Sequence, residues 1–195
     1  MERQIHGFIF EGNEIEKRKL TPWNEYITKY PSTDGDGVYT STWDAIDENQ
    51  SGVNYNGKPV QLKCIKKGGS VDLGDIFRNA NKKENFDLII GFWEESKYNI
   101  VETYLIKVDY IKWNELFIWD KYDEISNWIR NVVSNDKSYT PTWKCECASY
   151  KTDWGRERII QPRFKRDSKT QRRIQCGITY GKFIEYFVNK GIVNE

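Results

Sequence analysis

Asp44, Gln61 and Lys63 are the residues whose types and spacing suit phosphoryl chemistry. Gln61 and Lys63 lie two apart in Pro59-Val60-Gln61-Leu62-Lys63-Cys64-Ile65-Lys66, where apolar and polar residues alternate. That period predicts a strand with Val60, Leu62 and Cys64 on one face and Gln61, Lys63 and Ile65 on the other. Asp44 closes an earlier run, residues 38–43, whose β-branched and aromatic content predicts another strand. Between them, residues 47–57 carry Asn-Gln-Ser-Gly and Asn56-Gly57, turn chemistry of the kind that joins antiparallel strands. With these strands as neighbours, an acid, a second oxygen donor and an ammonium converge at a sheet edge. Such a set suits metal-assisted phosphodiester hydrolysis. A hard cation takes oxygen ligands and keeps several waters, and it lowers the pKa of its water while neutralising charge on phosphate oxygens. A nearby lysine can position or help deprotonate the attacking water, since context shifts its pKa readily.

The remaining elements follow from the same kind of pattern. Thr21-Pro22 predicts a helix start, with Thr as cap and Pro at the first helical position, and the helix over 23–30 stops at Pro31. Residues 32–37 are rich in turn formers. After Gly68-Gly69, Leu73, Ile76, Phe77 and Ala80 fall on one face of a predicted helix over 73–80, and Asp75 near its start favours the macrodipole. The continuous apolar run 86–93 predicts a strand buried on both faces, and 99–108 an alternating one. Segments 112–119 and 123–133 predict aromatic helices, with Trp119, Ile125, Trp128 and Ile129 available to dock on the sheet. A short strand over 143–148 and a helix over 182–189 complete the order. With no repeat, low-complexity tract or linker, residues 1–195 read as one α/β domain.

Composition sets limits. Of 195 residues, 38% are hydrophobic, and 8 Trp, 12 Tyr and 9 Phe argue for a folded core rather than disorder. No apolar run reaches the roughly 18 residues of a membrane span, and residues 1–6 lack a signal-peptide pattern, so a cytoplasmic protein is expected. A single histidine, His6, leaves almost nothing for His-anchored zinc or Ser-His chemistry. Cys64, Cys145, Cys147 and Cys176 are too few and irregular for a disulfide scaffold, and Cys145-x-Cys147 with Cys176 lacks a fourth zinc ligand. The net charge of +1 conceals a net +7 over residues 151–182 and −5 over residues 1–150. Trp154, Gln161, Phe164, Gln171 and Gln175 sit among those cations, pairing stacking surfaces and base-edge hydrogen bonders with phosphate contacts. A polyanion partner is the expectation.

Asp44, Gln61-Leu62-Lys63, the helix around Asp75-Ile76-Phe77-Arg78-Asn79 and Asp87-Leu88-Ile89-Ile90-Gly91-Phe92-Trp93 together resemble the core of the PD-(D/E)xK nucleases. Within that superfamily the chain is most similar to small type II restriction endonucleases, over roughly residues 20–110. The resemblance implies a mixed central sheet flanked by helices, a homodimer, and Mg²⁺ as cofactor with Mn²⁺ able to substitute. By position, Asp44 would be the metal-ligating acid, Gln61 would take the second acid's place, and the Leu62 carbonyl would face the metal. Lys63 would be the motif lysine and Glu25 an auxiliary carboxylate. Two departures stand out: Trp43 replaces the usual Pro before Asp44, and Gln61 replaces Asp or Glu. A neutral amide binds a hard cation less strongly, so Asp47, Glu48, Asp72 and Asp75 are candidates to assist.

The expected activity is sequence-specific cleavage of double-stranded DNA. Arg78 and Asn79 would contact the DNA backbone. Residues about 140–182 would read DNA through Lys151, Arg156, Arg158, Arg163, Lys165, Arg166, Lys169, Arg172 and Arg173. The arginines suit guanine edges, while Lys151 and Lys169 suit phosphates. Two alternatives are a structure-specific repair or junction nuclease of the same fold, and a DNA-binding module silenced by Gln61.

Overall fold

The first described element was not foreseen: Glu2–Arg18 forms a helix, α1, that lies on the sheet described below. It buries Phe10 and Glu14, and the Glu14 carboxylate is held by Arg18 one turn on, at 2.6 Å. The computed structural model describes residues 2–31, 43–95, 99–117, 123, 124, 127, 158–164 and 174–189. Expectations for the strand over 38–42, most of the helix over 123–133 and the strand over 143–148 lie outside them.

Thr21–Pro22 is a short strand, β1, and α2 (Trp23–Lys29) follows directly. The expected Thr cap is not made. Pro22 itself holds the cap position, and the Thr21 hydroxyl donates instead to Glu48 Oε1 at 2.6 Å. After Trp43 and Asp44 come β2 (Ala45–Asp47) and β3 (Lys58–Lys66), antiparallel to each other. Asp44 immediately precedes β2. The turn between them is tethered by Glu84, whose Oε2 accepts the N–H groups of Val53 and Asn54.

Ser70–Asp75 forms β4, where helix was expected from Leu73 onward, and only Ile76–Ala80 is helical, as α3. Asp75 caps α3, its carboxylate accepting the Arg78 N–H at 3.0 Å. Strands β5 (Phe86–Glu94) and β6 (Asn99–Val108) run as expected, and residues 86–93 of β5 are all buried. Then follow α4 (Tyr110–Glu115), β7 (Gln161–Phe164), β8 (Ile174–Thr179) and α5 (Tyr180–Phe183), which continues as a π-helical turn to Val188.

These elements make a mixed α/β fold. A five-stranded mixed sheet has the order β1-β2-β3-β5-β6, with β3 and β5 parallel and the other pairs antiparallel. The crossover from β3 to β5 includes β4, which joins β8 and β7 in a second, three-stranded antiparallel sheet. The pleat of β3 behaves as the alternation predicts: Val60, Leu62 and Cys64 pack with Phe10 and Ile89 beneath α1. Ile65 packs on the opposite core, with Trp43, Ile76, Phe86 and Ile90. Gln61 and Lys63 belong to this second face. No helix among the described residues is long and apolar enough to cross a membrane.

Candidate functional site

Asp44 is tied down by its main chain before its side chain does anything. Its N–H donates to the Val60 carbonyl at 3.0 Å, and its own carbonyl accepts the Trp23 N–H of α2 at 3.1 Å. The carboxylate then accepts the Leu62 N–H at Oδ2, 2.7 Å away. Bonds to Val60 and Leu62 thus bracket Gln61. Lys63 brings its ammonium to 3.6 Å from the same Oδ2, with Lys63 26% and Asp44 28% exposed in their side chains. Such a pair is open to water, so it contributes little stability. It leaves lysine protons and a carboxylate oxygen available to a ligand.

Gln61 is only 7% exposed, and its buried Oε1 has no hydrogen-bond partner among the described residues. An unpaired buried carbonyl oxygen carries a desolvation cost of about 1–3 kcal/mol, and a cation or a donor from a ligand would remove it. Leu62, buried beneath α1, contributes its N–H to the Asp44 carboxylate.

A second acid comes from α1, a helix the sequence pattern did not predict. Glu11, on α1, is half-buried, and burial followed by the negative charge of Asp44 pushes its carboxyl above the usual value, while Lys63 lowers it. Glu11 also acts on Cys64, whose thiol burial pushes up to about 11. The available signal was its place beside Phe10 on an amphipathic helix, obscured by Gly7 and Gly12. Glu25 is exposed on α2, and among the described residues no hydrogen bond or ion pair joins it to Asp44 or Lys63.

Asp44 is the carboxylate beside Lys63 that could ligate a hard divalent cation, Gln61 is its neighbour on β3 with an amide oxygen to offer, and Glu11 adds negative charge from α1. Such ions accept carboxylate and carbonyl oxygens together and keep waters. Among the described residues no group of three or more His, Cys, Asp or Glu side chains is arranged to hold a metal. The other acids are engaged elsewhere. Asp47 accepts from Asn49 and Gln50, Glu48 from Thr21 and Lys29, Asp72 from Gly74, and Asp75 from Arg78.

The expected DNA contacts divide sharply. Asn79 is buried, its amide donating to the Leu73 and Asp75 carbonyls at 2.8 Å each, so it is a brace for β4 rather than a surface group. Arg78 is half-buried on α3, and Arg158 is half-buried with its carbonyl accepting from Lys182. Arg163 of β7 lies across Gly177 of β8, where an added Cβ would stand 2.7 Å from its Nε. Lys151, Arg156, Lys165, Arg166, Lys169, Arg172 and Arg173 lie outside the described residues. Of the thiols, Cys64 and Cys176 are free, and Cys145 and Cys147 are outside the described residues. His6 stacks on Trp93 with ring centroids 4.5 Å apart.

No family model, curated protein or solved structure matches the chain.

Proposed function

We propose that the chain is a Mg²⁺-dependent, sequence-specific double-strand DNA endonuclease of the PD-(D/E)xK type, acting as a cytoplasmic homodimer. The observation that carries this reading is the meeting of Asp44 and Lys63 at 3.6 Å where β2 opens against β3, with Gln61 bracketed by the Asp44 hydrogen bonds. Asp44 and Gln61 would hold the ion, with Glu11 adding negative charge from α1, and the ion when bound supplies charge neutralisation to the phosphate and a more acidic water. Mn²⁺ would substitute for it. The Asp44 carboxylate is oriented in advance by the Leu62 N–H, so no reorganisation is needed at that oxygen. Lys63, held beside it, orients the attacking water or a phosphate oxygen through its remaining protons. The net positive charge of residues 151–182 supports DNA as the polyanion.

Incubation of the purified protein with phage DNA and Mg²⁺, followed by mapping of fragment ends, tests the reading. Discrete fragments with one common end sequence are expected. Smeared or branch-dependent products contradict sequence-specific cleavage.

The neutral amide of Gln61 and the lack of a three-acid cluster among the described residues favour a second reading, a DNA-binding module without catalysis. Tight, salt-sensitive DNA binding with no cleavage in Mg²⁺ or Mn²⁺ selects it.

A further inference from the structure

Lys82 is a buried lysine that the chemistry above does not use. It sits between α3 and β5, and its main chain is gripped at both polar atoms by Asn114 of α4. The Lys82 N–H donates to Asn114 Oδ1 at 3.1 Å, and Asn114 Nδ2 donates to the Lys82 carbonyl at 2.8 Å. From that anchor the side chain runs inward, leaving the residue 5% exposed. Its ammonium stands 3.8 Å from the centroid of the Trp43 ring and 5.3 Å from that of Phe86. Lysine is almost never this buried. Methionine or leucine would fill such a space without the penalty of a buried charge.

Trp43 needs a hold of this kind. It belongs to no strand, and its buried indole Nε1 has no hydrogen-bond partner among the described residues. The ring is therefore fixed by its faces, against Lys82 and against Phe86, whose centroid is 5.1 Å away. A desolvated ammonium over an indole face is attracted by the ring's quadrupole. The next residue along the chain is Asp44.

We propose that Lys82 is a positioning residue for the Asp44 carboxylate: its ammonium clamps the Trp43 indole, and the adjoining peptide carries that constraint to Asp44. The inference rests on the nuclease reading for its effect on turnover, though not for the clamp itself. Charge around the ammonium comes from several elements. Burial first, then Lys63 on β3, bring the Lys82 pKa down to about 7; Asp44 and Cys176 on β8 hold it up, and Arg78 on α3 lowers it.

The test compares Lys82→Met, which keeps the stem without the charge, with Lys82→Arg, which keeps a cation able to stack on indole. Cleavage kinetics in Mg²⁺, thermal unfolding and the indole N–H signals of ¹⁵N-tryptophan protein are the readouts, with Trp43→Phe assigning Trp43. In Lys82→Met, kcat should fall about a hundredfold with KM little changed, as expected for a misplaced catalytic group. The Trp43 signal should move in the same variant. Lys82→Arg should restore both. Wild-type turnover in Lys82→Met overturns the inference and leaves the nuclease reading standing. An unmoved Trp43 signal in folded Lys82→Met also overturns it. Should Lys82→Met fail to fold, Lys82→Arg decides: a displaced Trp43 signal with unchanged kcat overturns the clamp, whereas a retained signal and kcat support it. If the wild type cuts no DNA, the nuclease reading falls, and the Trp43 signal in the two variants still decides the clamp.

Discussion

One carboxylate oxygen organises the site: Asp44 Oδ2 receives the Leu62 N–H and faces Lys63. Glu11 faces the same charges from α1, and its raised carboxyl yields a pH prediction. A carboxyl raised in the folded state holds its proton more tightly folded than unfolded. Stability therefore falls as pH climbs from the ordinary value of 4.5 through the folded value. Glu11→Gln removes that loss, so melting of the metal-free protein should rise at neutral pH and stay unchanged below about pH 4. The same variant should weaken Mg²⁺ binding about tenfold in calorimetry. Asp44, Gln61 and Lys63 were legible in the sequence because a strand's period of two fixes which side chains share a face. Glu11 was not, because what brings it there is the docking of a helix far from β3 in sequence. Asn79 was misjudged for a related reason: a polar side chain in a short helix reads as exposed until the strand it braces is known.

Among the elements, the apolar β5 and the alternating β3 and β6 announce themselves. Strand β4 does not, because its alternation spans only Val71 to Leu73 before a register shift between Asp72 and Gly74, where Gly74 takes φ +87°. The tail of that strand then resembles the first turn of a helix. Helix α1 is hidden by two glycines and abundant charge, yet its seating on the sheet is specific. A Cβ on Gly91 would enter the Phe10 ring. Gly91→Ala should thus destabilise the fold by about 1–3 kcal/mol in denaturant titration and disturb Glu11 with it. Across the parallel pair, Lys58 of β3 and Asp87 of β5 form an ion pair with side chains 13% and 6% exposed. Asp87→Ala strands the lysine charge in the interior and should cost about 3–5 kcal/mol of stability.

For the whole molecule, the mixed α/β class followed from the order of elements, whereas the separate three-stranded sheet did not. Its pairings join β4 to strands about a hundred residues later, a separation that no local pattern encodes. The acidic body and basic C-terminal stretch were legible directly from composition. They predict DNA affinity falling linearly on a log–log plot against salt, with a slope of about −0.9 for each phosphate contacted; a salt-independent affinity in gel-shift titrations would deny that role. The central claim, that Asp44 and Lys63 act together on a phosphodiester, is tested most directly by cleavage rates on one DNA substrate in Mg²⁺. Wild type, Asp44→Ala and Lys63→Ala should be compared at saturating enzyme. The account predicts discrete cleavage by the wild type and a loss of about 10²-fold or more in each variant, with folding retained. Wild-type rates in both folded variants would contradict it.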